Sequence, residues 1–111
     1  MEEAKLGKIE NILFGYGGYQ NAMFGLSITL SGKGWGVGDF KGGWSLDITV
    51  GEYTKWTEED RDKEFAKVCR FTNKLLQDAK KQTIDQLKNI PVEVTFDGNS
   101  LKSWRILTEV I

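Results

Sequence analysis

The chain has 111 residues, with 15 basic and 16 acidic side chains, one cysteine, one proline and no histidine. That length builds one core, and 40% apolar with 28% charged residues excludes disordered and fibrous classes. The missing histidine removes the commonest general base and metal ligand. The lone cysteine excludes an internal disulfide or a Cys-rich zinc site, and a net charge of −1 argues against a nucleic-acid binder.

The N-terminal run Met1-Glu2-Glu3-Ala4-Lys5-Leu6-Gly7 does not pair a basic start with an apolar stretch, so no secretory signal is expected. Apolar stretches are far shorter than the ~20 residues that span a bilayer. The expected address is the cytosol. Composition shifts near Trp56: twelve of the 13 glycines and nine of the 13 aromatics lie at or before it, and ten of the 15 basic residues after it. This marks a change of element type within one domain: a Gly/aromatic-rich sheet over 1–56, a helix over 57–88 and a hairpin over 91–111.

Lys8–Phe14 reads as a weak first strand, followed by the glycine loop Gly15–Ala22. Residues 22–31 alternate cleanly, with Ala22, Phe24, Leu26, Ile28 and Leu30 facing one way, the period of a half-buried strand. Gly34–Phe40 reads as an unusual strand. Residues 44–50 repeat the alternation with Trp44, Leu46, Ile48 and Val50. Short glycine-bearing connections make these four an antiparallel meander.

Thr57 ahead of Glu58, Glu59 and Asp60 supplies an N-cap and an acidic first turn. Phe65, Val68, Cys69, Thr72, Leu75, Leu76 and Ala79 then recur at helical spacing, which places Cys69 in the core. Thr83 and Gln86 form a second capping box, so a break is expected near 81–83. Pro91 is read as stopping the helix. Val92, Val94 and Phe96 alternate into the turn Asp97-Gly98-Asn99, and the return strand puts Trp104, Ile106 and Val110 on one face and Leu101 on the other. The expected fold is α+β: a four-stranded antiparallel β-meander, one long helix and a C-terminal β-hairpin.

Three features bear on chemistry. In Ser31–Trp44, Gly32, Gly34, Gly36 and Gly38 alternate with Trp35, Val37 and Asp39. A bare face of this kind accepts a neighbouring aromatic, strong curvature or a flat ligand. It is not a dinucleotide fingerprint, because no helix follows. In Gly15–Ala22, Tyr16 and Tyr19 flank glycines, which suits either recognition or a strand connection. Lys33, Lys41, Arg61, Arg70 and Arg105 are the cations available to an anion. Arg61 also sits among Glu58, Asp62 and Glu64, and Arg105 opposite Glu93, so surface pairing competes. No serine has an imidazole to activate it, and no catalytic group or metal site is expected.

The strings GYGGYQNAMFGLSITL, GKGWGVGDF, WTEEDR and VEVTFDGNSLKSWRILTEVI cover most of the chain. On them it resembles a family of small proteins carried by bacteriophages and prophages. Small phage proteins of this size without catalytic residues look like counter-defence factors. A sheet, a long helix and a C-terminal hairpin assembled as an oligomer are similar in architecture to the first Thoeris anti-defence sponges, which sequester cyclic ADP-ribose isomers. None of that family's binding residues is carried over. The resemblance implies a non-enzymatic counter-defence protein of the host bacterial cytosol that binds a small cyclic nucleotide-type signal, without a cofactor. The alternatives are an anti-CRISPR-like inhibitor of a host defence enzyme, or a phage structural or assembly protein. A homo-oligomer is expected, with neither membrane nor nucleic acid as partner. Tyr16, Tyr19, Lys33, Trp35, Asp39, Arg61, Trp104 and Arg105 are the candidate ligand-binding residues, aromatics for a purine and cations for phosphate.

Overall fold

A computed structural model describes residues 2–18, 22–44 and 57–111. Strands β1 (Glu2–Gly17), β2 (Met23–Gly32) and β3 (Trp35–Trp44) precede helix α1 (Glu58–Ala79). A short 3-10 helix (Ile84–Leu87) then leads to β4 (Pro91–Asp97) and β5 (Ser100–Ile106). All pairings are antiparallel, in the order β3-β2-β1-β4-β5. The fold is α+β, as expected. The C-terminal hairpin joins the meander strands, because β4 pairs with β1, and among the described residues the sheet has five strands. The expected strand over 44–50 lies outside the described residues, apart from Trp44.

β1 is longer than its alternation indicates and serves two partners. Residues Glu2–Lys8 pair with β4, and Lys8–Gly17 with β2. A bulge between Ile9 and Asn11 resets the register. It lets Ile9 and Ile12, three residues apart, point to the same face, where both are buried. Leu26, Ile28 and Leu30 of β2 and Val92 and Val94 of β4 face the same way and are 2% exposed or less. Each such side chain contributes roughly 1.5–3 kcal/mol on burial.

α1 lies on this face through Val68, Leu75 and Ala79. Its start follows the sequence: Thr57 accepts from the Asp60 N–H at 3.1 Å, and Asp60 accepts from the Thr57 N–H at 3.1 Å. The backbone hydrogen bond from Thr57, then that residue's hydroxyl, holds the Asp60 carboxyl below its ordinary pKa. The helix ends at Ala79, with Lys80 left-handed at φ 57°, ahead of the expected break. Thr83 and Gln86 box the 3-10 helix, which seals the core with fully buried Leu87. Pro91 therefore opens β4 rather than stopping the helix. Cys69 is a second correction: it is exposed, one residue (about 100°) round the helix from buried Val68. Among the described residues no helix is long and apolar enough to cross a membrane.

The sheet curls. In a flat sheet β3 and β5 would stand roughly 19 Å apart, four steps of about 4.8 Å. Instead Trp104 of β5 donates from Nε1 to Asp39 Oδ2 of β3 at 2.7 Å. Trp35 of β3 meets Phe96 of β4 edge-on, with ring centres 5.4 Å apart. The two edges thus approach each other along a seam above the concave face.

Glycines make room for the curl. A Cβ on Gly32 would lie 2.5 Å from the Trp35 indole, and one on Gly7 2.8 Å from it, so the ring lies flat across β2 and β1. On the outer face the Phe40 ring covers Gly42 and Gly17 in the same way. Lys33-Gly34 forms a two-residue turn, with Gly34 at φ 78°. The run read as one glycine-lined strand is therefore a hairpin. Gly32 lies on the Trp35 face, and Gly36 and Gly38 lie on the opposite one.

Candidate functional site

The seam is built by residues that alternation places on the concave face. Asp39 and Lys41 come from β3, Phe71 from α1, and Leu101 and Trp104 from β5. Leu101 reaches this face because the β4–β5 register shifts between Thr95 and Phe96, which corrects its expected placement. Val110 does not join it, since it sits in a terminal 3-10 turn and is 66% exposed. Phe71 meets Trp104 edge-on at 6.0 Å. Lys41 Nζ stands 5.4 Å from the Phe71 ring centre and 3.6 Å from Asp39 Oδ2.

Two clefts adjoin here and share Lys41 and Phe71. One, of about 220 Å³, continues over Asp39, Lys102, Ser103 and Trp104. The other, of about 350 Å³, continues over Phe40, Glu64 and Lys67. Their lysines have partners that water also reaches: Lys67 Nζ is 3.0 Å from Glu64 Oε1, and Lys102 pairs with Glu2. Exposed pairs of this kind are worth roughly 0–1 kcal/mol, so each ammonium can exchange its carboxylate for a phosphate at little cost.

Among the eight candidate residues, the structure brings Asp39 and Trp104 together and sets Trp35 further along the same seam. The others stand elsewhere. Tyr16 packs edge-on to Phe24 at 5.4 Å in an aromatic group with Phe14 and Phe65, and Arg61 lies 5.8 Å from the Phe65 ring centre. Arg61 also reaches Glu58 at 3.4 Å and Asp62 at 3.3 Å. Lys33 is exposed in its turn, and Tyr19 lies outside the described residues.

Arg105 is held on the outer face by Glu109 at 2.9 Å and Glu93 at 3.2 Å. Hydrogen bonds donated to Glu109 and then Glu93 push the guanidinium pKa up, and Arg105 holds the Glu109 carboxyl down at about 2. Lys67, Phe71 and Lys102 went unread as site residues, because only the curl brings them together. Lys41 was legible as a cation on a glycine-rich strand.

At the far end of the concave face, Phe14, Phe24, Phe65, Val68 and Cys69 line an apolar cavity of about 140 Å³. Phe14 and Tyr16 at its rim are 53% and 60% exposed. Among the described residues no group of three His, Cys, Asp or Glu side chains is placed to hold a metal ion. No protein-family model, curated protein or solved structure matches the chain.

Proposed function

We propose that the chain is a non-catalytic binding protein that captures a small nucleotide-type ligand in the seam. Its role in this reading is phage counter-defence, by sequestering a cyclic nucleotide immune signal. The observation that carries the binding reading is the juxtaposition along two adjoining clefts of Phe71 and Trp104 with Lys41, Lys67 and Lys102. Aromatic faces take a base, and ammonium groups take phosphate oxygens without reacting with them. Among the described residues β3 and β5 lie at the sheet edges and offer backbone groups to a second copy, so the sequestering unit is proposed as a homo-oligomer.

Calorimetry and thermal melting against cyclic mononucleotides, cyclic dinucleotides and cyclic ADP-ribose isomers test this. A ligand at a hundred times its Kd adds roughly 2.7 kcal/mol. For a chain of this size that raises Tm by about 10 °C. Lys41→Ala weakens binding, and unshifted melting across the whole panel overturns the reading.

A second reading, inhibition of a host defence enzyme by direct contact, is favoured by exposed Phe14 and Tyr16 beside the apolar cavity. Aromatic anchors dominate such contacts. A stoichiometric host protein captured by the wild type and lost with Phe14→Ser separates it from nucleotide capture.

A further inference from the structure

The two clefts of the seam repeat one chemical set about a shared centre. Lys41 and Phe71 border both, with Lys41 Nζ 5.4 Å from the ring centre. The smaller cleft adds a carboxylate, an ammonium and an apolar wall, from Asp39, Lys102 and Trp104. The larger adds the same three, from Glu64, Lys67 and Val68. The two carboxylates are engaged alike. Asp39 meets Trp104 and Lys41 through Oδ2, and Glu64 meets Lys67 through Oε1. Among the described residues neither Asp39 Oδ1 nor Glu64 Oε2 accepts a hydrogen bond, so each carboxylate keeps one oxygen for a ligand donor.

Each set has the chemistry that holds a nucleoside. An apolar wall takes the base, and a carboxylate oxygen accepts from a ribose hydroxyl. The ammonium at the centre takes a phosphate oxygen. Spacing joins the two sets into one site. Trp104 lies 6.0 Å from Phe71 between ring centres, and Lys67 stands four residues before Phe71, roughly 6 Å along α1. A cyclic mononucleotide, whose phosphate is tied back to its own ribose, fills the Trp104 side and reaches Lys41. It leaves Glu64 and Lys67 unused. Two nucleosides joined through phosphate engage both sets.

Resting on the reading that the seam holds a nucleotide, we infer that its ligand is a dinucleotide lying across Lys41, with one nucleoside in each cleft. Lys41 meets the phosphate that joins the halves, and Lys67 and Lys102 flank it.

Calorimetry on the wild type, Lys67→Ala and Lys63→Ala tests the assignment. Cyclic di-AMP, cyclic di-GMP and linear pApA are compared with cyclic AMP and cyclic GMP, which also separates a closed dinucleotide from an open one. Joining two half-ligands multiplies affinity, so a dinucleotide should bind about tenfold or more tightly than the mononucleotide of the same base. Lys67→Ala should weaken that dinucleotide by about tenfold and leave the mononucleotide within about twofold. Lys63 is on the same helix but lines neither cleft, so Lys63→Ala reports the general loss of a positive charge and should change each affinity by less than about twofold. Lys67 is exposed and its pair with Glu64 contributes little, so melting of that variant should stay within about 4 °C of wild type. Equal binding of mononucleotides and dinucleotides by the wild type, or equal losses of both in Lys67→Ala, overturns the inference and leaves the nucleotide reading standing. If none of the five binds, the inference falls. If the wider panel also fails to bind, the nucleotide reading falls with it.

Discussion

Two pairs of glycines do different work. Gly7 and Gly32 lie under the Trp35 indole, where a Cβ would stand 2.8 Å and 2.5 Å from the ring. Gly36 and Gly38 lie on the opposite face, where an added Cβ would meet nothing closer than 3.8 Å. The first pair is required by packing and the second is not. A glycine's neighbours in space, rather than its place in an alternating run, decide what its missing side chain is worth.

Substitutions at each place sharpen the contrast. Gly7→Ala drives a methyl into the Trp35 ring and the Ser31 carbonyl, and it should cost about 3 kcal/mol, read by urea denaturation. A loss under 1 kcal/mol would mean that Trp35 can leave its bed freely. Asp39→Ala removes the acceptor for a partly buried indole N–H at the point where the sheet edges meet, and should cost about 2 kcal/mol. Asp39→Asn keeps a carbonyl oxygen there and should recover most of that loss, so equal losses in the two variants would refute the hydrogen-bond account.

Thr57→Ala, remote from both glycine pairs, removes the helix cap and should cost about 1 kcal/mol. The Asp60 carboxyl is held below its ordinary 3.8, so its contribution is complete above that pH and is lost as acid titrates the folded state below it. Glu109 behaves alike, losing its contribution between its ordinary 4.5 and about 2. Asp60→Ala removes the titrating carboxyl and should therefore flatten the acid-unfolding profile just below pH 3.8, and an unchanged profile would rule the capping box out as a source of acid sensitivity. Gly36→Ala should be the mildest change, a gain of about 0.5 kcal/mol from restricting the unfolded chain. Any loss above 1 kcal/mol would place Gly36 in the first class.

Local signals were legible where one element settles them. The alternation of β2 and the Thr57 cap needed no tertiary partner, and both appear where they were read. What escaped was set by contacts between elements. The three-residue spacing of Ile9 and Ile12 breaks a period of two, and only the bulge makes sense of it. Lys33-Gly34 folds a run that reads as one strand, which splits its glycines between two faces. Cys69 has helical spacing from Phe65 yet falls at the margin of the stripe. Of the site residues, Asp39 and Trp104 were read separately, 65 positions apart. Their meeting depends on curvature that no local pattern encodes.

The division of β1 between two partners also sets an order of assembly. β2 and β3 close over a two-residue turn, and β1 reaches β2 through a short connection, so that half is rich in local contacts. Glu2 pairs with Asp97, a closure across nearly the whole chain, and closing a long loop is slow as well as entropically costly. The β4–β5 half must therefore dock last onto a preformed meander. Because the seam exists only after that docking, it is expected to be the last part of the molecule to form.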